Sequence, residues 1–249
     1  MRKKLVAGNW KMHGGLQANS ALLDRIVESL PSLACDVLVC VPFPYLFQVA
    51  ERLAGSRLAL GAQSVSEHAA GAFTGEVSAP MLAELGCSFV IVGHSERRAL
   101  YGEGDLLVAA KCKAVLAAGM WPVLCVGETL AEREAGETLA VVARQLRAVI
   151  DCVGVASFSH MVVAYEPVWA IGTGMTASPV QAEAVHAAIR RQFAELDSVV
   201  AEGLRILYGG SVKPQNAMEL FAQPNIDGGL IGGAALVADD FLAICHAAN

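Results

Sequence analysis

Residues 161–174 read MVVAYEPVWAIGTG and combine a buried strand, an acid and an apolar loop. The first five residues are almost wholly apolar, which is typical of a strand that is buried on both faces of a parallel sheet. Glu166 follows at the end of this strand, and Pro167 disfavours helical geometry at the acid. The segment therefore predicts an α/β fold in which a carboxylate stands at the carboxyl end of an inner strand.

The loop after Glu166 is unusual because it is apolar. Val168 to Ile171 lie between a proline and the glycines of Gly172-Thr173-Gly174. One interpretation is a lid that closes over a site and excludes water while its ends absorb the dihedral change. The other is a packed connection that covers the core, with Glu166 as a solvated acid at a strand end. This segment alone does not separate the two.

The same strand–helix pattern recurs along the whole chain. Short apolar runs rich in β-branched residues alternate with stretches whose apolar residues recur every three or four positions. The predicted strands lie near Leu5–Ala7, Val37–Val41, Leu58–Ala62, Phe89–Val92, Pro122–Val126, Met161–Tyr165, Arg205–Tyr208 and Gly229–Ile231. Helical patterns lie within 22–30, 107–115 and 180–189, and Ser178-Pro179 is a typical helix start.

Eight strand–helix units fill the 249 residues without a Pro/Gly/Ser-rich linker. This count predicts a closed (β/α)₈ barrel, with eight parallel strands ringed by helices, as one domain over residues 1–249. An open doubly wound sheet is the alternative. It usually carries a glycine-rich fingerprint after its first strand, whereas this chain has GNWK at residues 8–11.

Composition narrows the class of protein. The formal net charge is −6 and basic residues do not cluster beyond residues 2–4, which argues against a nucleic-acid partner. No apolar run is long enough to span a membrane. The seven cysteines show no Cys-x-x-Cys pair and no zinc spacing, so they are expected to be small buried hydrophobes in a reducing compartment. We expect a soluble cytoplasmic protein without a metal.

Several reactive side chains follow the predicted strands, where a barrel of this kind places its chemistry. They are Asn9, Lys11, His94, Ser95, Glu96 and Glu166. His94 precedes a predicted helix whose positive end favours a neutral imidazole, and Ser95 lies near the helix cap. Lys11 could offset an oxyanion, bind a phosphate or form a Schiff base, and a nearby Glu96 would keep it charged. A structural histidine and a surface lysine are the plainer alternatives.

Two glycine pairs follow the last two predicted strands. Gly209-Gly210 precedes Ser211, and Gly232-Gly233 follows the eighth strand. Barrels commonly bind phosphate there, through backbone N–H groups and the start of a short helix. Glycine allows the backbone to approach the anion closely, although tight turns also require glycine.

Residues 63–80 form a long connection without periodicity, which in a compact domain is usually functional. Phe73 lies at its glycine-rich tip and would be exposed unless a partner covers it. A subunit contact is the favoured interpretation, and an Ω-loop folded on its own surface is the alternative.

Five motifs together resemble the triosephosphate isomerase family. They are GNWK at 8–11, GHSERR at 93–98, AYEPVWAIGTG at 164–174, YGGSV at 208–212 and GG at 232–233. The match covers the whole chain in the family's order. The resemblance implies interconversion of dihydroxyacetone phosphate and D-glyceraldehyde 3-phosphate by proton transfer through an enediolate, in glycolysis and gluconeogenesis. It also implies no metal or organic cofactor, and a homodimer.

The resemblance also implies roles for individual residues. Glu166 would be the base, a neutral His94 would shuttle protons between oxygens, and Asn9 and Lys11 would stabilise the enediolate. The glutamate–histidine pairing is an established example of pKa tuning in this family, so it is not an independent prediction. Ser95 and Glu96 would support these groups, and Thr74 would lie near the partner's active site. The phosphate would be held near Gly172, Ser211, Gly232 and Gly233. The lid would comprise Pro167, Val168, Trp169, Ala170, Ile171, Gly172, Thr173 and Gly174.

Three other functions compete with this interpretation. An aldolase would use Lys11 to form an imine, which borohydride would trap. A metal-dependent epimerase would need a cluster of His, Asp or Glu ligands at the strand ends, and the sequence shows none. A barrel retained only for binding would have lost site residues, whereas Asn9, Lys11, His94 and Glu166 are all present.

Overall fold

A computed structural model describes residues 2–249 and contains a closed barrel of eight parallel strands. Each strand overlaps a predicted one, and their ends differ by no more than two residues. Met1 lies outside the described residues, so the predicted domain over 1–249 is described from residue 2 onward. The strands are β1 Leu5–Asn9, β2 Asp36–Val41, β3 Ala59–Ala62, β4 Phe89–Val92, β5 Trp121–Val126, β6 Val162–Tyr165, β7 Arg205–Tyr208 and β8 Gly228–Ile231.

Helices connect the strands and surround the barrel. The α-helices are α1 Leu16–Ser29, α2 Leu46–Leu53, α3 Ala79–Glu84, α4 Ser95–Tyr101, α5 Asp105–Ala117, α6 Leu130–Glu134, α7 Thr138–Val153, α8 Pro179–Ala194, α9 Ser198–Gly203, α10 Pro214–Phe221 and α11 Ala238–Ala247. Short 3₁₀ helices span Leu30–Ser32, Phe43–Tyr45, Val155–His160, Val168–Ala170 and Gly233–Leu236. Within residues 2–249, no helix has both the length and the apolar character needed to cross a membrane.

The start of α8 shows how local sequence sets a helix boundary. The Ser178 hydroxyl accepts a hydrogen bond from the Gln181 amide (3.2 Å), and the Gln181 side chain accepts one from the Ser178 amide (3.0 Å). This reciprocal pair satisfies two N–H groups that the helix leaves unpaired, and Pro179 occupies the first helical position. The helix start predicted from Ser178-Pro179 is confirmed.

The strands are buried on both faces, which explains their almost continuous apolar runs. In β6, Val162 and Ala164 point into the barrel interior, where they join a small core cluster. Val163 and Tyr165 belong to the larger core between the strands and the surrounding helices. A closed barrel has no free sheet edge, so the open-sheet alternative is wrong.

The cysteine prediction holds for six of the seven residues. Those six are buried and Cys152 in α7 is exposed, so the expectation of burial is wrong for Cys152. Burial raises the pKa of the Cys125 thiol well above its usual range. Cys125 therefore behaves as a small core residue rather than a reactive thiolate.

Because all eight strands are parallel, their carboxyl ends meet at one rim. The residues that follow each strand are consequently neighbours in space although they are far apart in the chain. The connection between β3 and α3, residues 63–78, contains no helix or strand, so the aperiodic connection predicted over residues 63–80 ends two residues earlier, where Ala79 and Pro80 begin α3.

Candidate active site

A cavity of about 570 Å³ opens at the carboxyl rim of the barrel. Asn9, Lys11, His94 and Glu166 all line it, so the structure brings together the four residues predicted to be catalytic. The residues predicted to bind phosphate, which are Gly172, Ser211, Gly232 and Gly233, line the same cavity. Ser95 and Glu96 do not line it, and each instead contacts a residue that does.

Glu166 is held at the floor of this cavity. It is 2% exposed, so the alternative of a solvated acid is wrong. Its Oε2 accepts a hydrogen bond from the Ser95 amide at 2.9 Å. Its Oε1 lies 2.9 Å from Nε2 of His94 but has no hydrogen bond of good geometry. Burial raises the pKa of the Glu166 carboxyl, but His94 and the Ser95 amide outweigh it, and the net shift is downward. The group is thus an ionised carboxylate able to accept a proton.

Two glycines enclose Glu166. A β-carbon at Gly127 would lie 1.7 Å from the Glu166 carbonyl oxygen, and one at Gly209 would lie 2.8 Å from Cγ of Glu166. Neither contact is sterically possible without displacement. Gly209 was predicted only as part of a candidate phosphate turn, and nothing in its local sequence indicated contact with the carboxylate.

His94 caps helix α4. Its Nδ1 accepts a hydrogen bond from the Glu96 amide at 3.2 Å, and the helix begins at Ser95, next to this cap, as predicted. This bond leaves Nε2 to carry the proton, and Nε2 faces Glu166. Burial lowers the pKa of His94, whereas the Glu166 carboxylate raises it, and the net shift is upward. The ring therefore presents an N–H donor toward the cavity.

Lys11 adopts a strained backbone. Its φ of +51° is the only positive value at a non-glycine position among residues 2–249. Two hydrogen bonds hold this backbone. Asn9 Oδ1 accepts one from the Lys11 amide (3.0 Å), and Gln63 Nε2 donates one to the Lys11 carbonyl (2.9 Å). Lys11 Nζ forms an ion pair with Glu96, which confirms their predicted proximity. Such strain persists only where neighbours hold it. Gln63 was missed because its sequence position marks only the start of a loop.

The glycine turns supply backbone to the same cavity. A 3₁₀ helix spans Gly233–Leu236 directly after β8, as the sequence predicted for the second glycine pair. Gly232 precedes it and, with Ser211, lines the cavity. Helix starts and glycine turns expose N–H groups that suit an anion.

The apolar loop after Glu166 is packed at its start and exposed at its end. Trp169 Nε1 donates to Glu128 Oε1 at 2.9 Å, and the Arg133 guanidinium lies 4.3 Å from the indole ring. Residues 172–175 are exposed, and Gly172 and Gly174 have φ values of +70° and +82°. The first half of the loop is therefore a packed connection, whereas the lid interpretation of its exposed second half stays a prediction. Glu128 and Arg133 were not anticipated from the sequence.

A second cavity of about 550 Å³ adjoins the first. Asn9, Lys11 and His94 line both cavities.

In the loop of residues 63–78, Phe73 stacks on His68 with ring centroids 3.8 Å apart. Thr74 is exposed and lines neither cavity of its own chain.

Metal-ligating side chains do not cluster in the part of the chain that is described. Residues 2–249 contain no group of three or more His, Cys, Asp or Glu side chains arranged to hold a metal ion.

Known proteins share this chain's sequence over its full length. A family model described as triosephosphate isomerase matches residues 4–248. A triosephosphate isomerase from Dechloromonas aromatica (strain RCB) is 73% identical over 249 residues, which is 100% of both chains. One from Thiobacillus denitrificans (strain ATCC 25259 / T1) is 67% identical over 248 residues, covering 100% of this chain and 99% of the relative. One from Cupriavidus necator is 61% identical over 247 residues, which cover 99% of this chain and 100% of the relative.

Proposed function

The chain belongs to the triosephosphate isomerase family, and from this premise we propose how its residues divide the reaction among them. It is an isomerase that interconverts dihydroxyacetone phosphate and D-glyceraldehyde 3-phosphate, a step of glycolysis and gluconeogenesis. The observation that carries the proposed roles is the buried Glu166 carboxylate, held at 2.9 Å by the Ser95 amide at the floor of a cavity that His94 and Lys11 also line.

Glu166 is the proposed base. It removes the proton from the substrate carbon beside the carbonyl group and returns it to the neighbouring carbon. Its Oε1 has no well-formed hydrogen bond, so the carboxylate loses little when it turns from His94 toward the substrate.

His94 is the proposed electrophile and proton shuttle. Its Nε2–H donates to the substrate oxygen on which negative charge develops. The Glu166 carboxylate raises the pKa of His94 while the two groups face each other. When Glu166 moves toward the substrate, this upward shift of the His94 pKa is lost. Burial of the ring and the hydrogen bond that Nδ1 accepts then favour the neutral imidazole.

Lys11 and Asn9 are proposed to stabilise the enediolate. The Lys11 ammonium lines the cavity, and Asn9 Oδ1 holds the Lys11 amide. Glu96 orients the ammonium through their ion pair. Ser95 supports Glu166 through its amide.

The phosphate is proposed to sit against Gly172, Ser211, Gly232 and Gly233, all of which line the cavity. Gly172 belongs to the exposed end of the loop over residues 167–174, so binding there would draw this lid closed. Closure matters because an exposed enediol phosphate can expel its phosphate group, and exclusion of water and solvent protects it.

Isomerisation of glyceraldehyde 3-phosphate, coupled to enzymatic reduction of the dihydroxyacetone phosphate formed, tests the activity directly. We expect fast turnover that a chelator does not change. A well-folded chain without turnover would contradict the assignment.

We expect Gly209→Ala to lower kcat by about tenfold or more, because the new β-carbon would push the Glu166 side chain from its position. KM should change less, since the phosphate contacts remain. Gly203→Ala in α9 is a matched control, because a β-carbon there meets no atom within 4 Å. Equal kcat values in the two variants would show that Gly209 does not position the base.

A homodimer is proposed from the surface around Lys11. Met12 is 94% exposed and Tyr101 is 68% exposed, and both line the cavity of about 550 Å³ beside the active site. Large apolar side chains exposed together around a cavity indicate a protein contact. The loop of residues 63–78, with the Phe73–His68 stack, is the segment proposed to fill this cavity in the partner. In a twofold dimer each chain would donate one loop and receive one.

We expect Thr74→Arg to weaken self-association, because the charge would be buried at the proposed contact. Activity should fall with it, since the loop packs beside Lys11 of the partner. Sedimentation across a concentration series measures the dimer, and Val199→Arg is the control at a position that is 78% exposed in α9. A Thr74→Arg dimer with native affinity and activity would count against the proposed interface.

We further propose one domain over residues 1–249, a cytoplasmic location, and neither nucleic acid nor membrane as partner. The net charge of −6 supports the absence of a nucleic-acid partner. The seven cysteines are all free thiols, which fits a reducing compartment.

A further inference from the structure

A third cavity, of about 330 Å³, lies behind Glu166 and is here called the rear cavity. Its floor includes Ser95, Cys125 and Val168, and its wall includes the exposed residue Ala99. Among the described residues, Glu166 alone lines both the rear cavity and the cavity proposed for the substrate. Glu166 therefore stands between two spaces.

The rear cavity has several polar side chains in its walls and enough volume for water. Arg98, Thr129, Glu132, Arg144 and Gln145 all line it. A site of this kind holds water when it offers several polar partners and room for more than one molecule of about 30 Å³. Thr129 and Arg144 are partly or fully exposed, so the cavity opens to solvent.

Hydrogen bonds hold these walls in place. Arg98 donates to the Gly93 carbonyl (2.9 Å), the Cys125 carbonyl (3.3 Å) and Asp105 (2.7 Å). Gln145 accepts from the Gly127 amide (2.8 Å) and donates to the Gly127 carbonyl (3.1 Å). Arg98 and Gln145 are thus anchored parts of the cavity wall.

The lid covers only the front of Glu166. The substrate cavity is lined by Ile171 and by Gly172, and Gly172 begins the exposed half of the lid. Val168, in the packed half, lines the rear cavity, and its amide donates to the Glu128 carbonyl at 3.1 Å. Closure over bound substrate would therefore leave the rear cavity open to solvent.

We propose that the rear cavity is the route by which Glu166, once protonated, exchanges that proton with solvent while substrate fills the front. The inference rests on the proposed role of Glu166 as the base. The carboxylic acid gives the substrate-derived proton to a water in the rear cavity and takes a solvent proton in return. The neighbouring substrate carbon then receives hydrogen from solvent instead of the original hydrogen, and no oxidant or reductant is needed.

The test is turnover of glyceraldehyde 3-phosphate in D₂O, with NMR measurement of the product share that carries deuterium at the newly protonated carbon. Ala99 lies one turn after Ser95 in α4, and helical side chains lean toward the helix N-terminus. Ala99→Leu and Ala99→Phe therefore extend toward Ser95 and Glu166 and fill the cavity. We expect the deuterated share to fall about twofold or more, further for Phe than for Leu, with kcat nearly unchanged.

Two other variants complete the design. Arg144→Ala removes a lining side chain that is 58% exposed and should raise the deuterated share. Ala194→Leu, at an exposed position in α8 that lines neither cavity, should leave it at the native value.

An unchanged deuterated share in the Ala99 variants, with native kcat, overturns the proposal and assigns exchange to the front. If Ala99→Phe fails to fold, the other two variants still test the proposal. Ala99→Leu should lower the deuterated share, and Arg144→Ala should raise it. Failure of the rear route leaves kcat and its dependence on Glu166 intact. An active Glu166→Gln variant would instead contradict the role of the base itself.

Discussion

Glu166→Gln lowers kcat by on the order of 10³-fold or more, because an amide cannot accept the proton that the carboxylate removes. The amide has nearly the same volume and can still accept from the Ser95 amide, so the fold should be retained. The measurement is the coupled isomerisation assay, with thermal unfolding of the same samples to show that the variant is folded. Glu195→Gln, at an exposed position after α8, makes the same chemical change away from the site.

Glu166→Asp separates placement of the base from its chemistry. It keeps the carboxylate but retracts it by one methylene, and a misplacement of about 1 Å costs on the order of 10²-fold. The loss should appear in kcat far more than in KM, since phosphate binding is untouched. An unaltered kcat in Glu166→Asp, or an active Glu166→Gln variant, would contradict the assignment of Glu166 as base.

The same substitution also has a consequence for His94. Because the Glu166 carboxylate raises the pKa of His94, the histidine of Glu166→Gln should titrate at a lower pH than in the native chain. An NMR titration of the imidazole resonances measures this shift. An unchanged or higher pKa of His94 in the variant would show that the two groups are not electrostatically coupled as their 2.9 Å separation indicates.

Lys11→Met lowers kcat/KM by on the order of 10²-fold or more, because it removes the cation that faces the developing oxyanion. Methionine retains much of the side-chain length, and Glu96 is exposed enough to rehydrate without its partner. The loss should appear in both kcat and KM, since the ammonium also attracts the substrate phosphate. Lys113→Met, at an exposed position in α5, is the control.

A borohydride experiment distinguishes this role from imine chemistry. Native chain incubated with substrate and borohydride should retain full activity, because an ammonium paired with Glu96 is a poor nucleophile. Covalent labelling of Lys11 would favour the aldolase alternative. A Lys11→Met variant with native kcat/KM would remove Lys11 from the proposed site altogether.

Much of the fold could be predicted because its signals are local. All eight strands were located within two residues, since a buried parallel strand is an uninterrupted apolar run. The start of α8 was predicted from Ser178-Pro179 because a cap is a contact between near neighbours. The start of α4 at Ser95 was also predicted, although the role of the His94 ring as acceptor of the capping hydrogen bond was not.

The supporting contacts of the site were not predictable in the same way. Gln63 binds the Lys11 carbonyl from 52 residues away, and Glu128 anchors Trp169 from 41 residues away. Gly209 was assigned to a phosphate turn, whereas its closest constraint is the Glu166 side chain. Such contacts have no periodicity and no spacing rule, because they join residues from different strand–helix units.

The sequence by itself determined the eight strand–helix units, their order, and the chemical groups that follow each strand. It did so because apolar periodicity, caps and strand-end residues act within a few positions of one another. Only the tertiary structure decided that the Glu166 carboxylate is buried, glycine-enclosed and held by the Ser95 amide, and that it separates two cavities. Those properties arise when closure of the barrel brings distant strand ends together, and their distances depend on strand register.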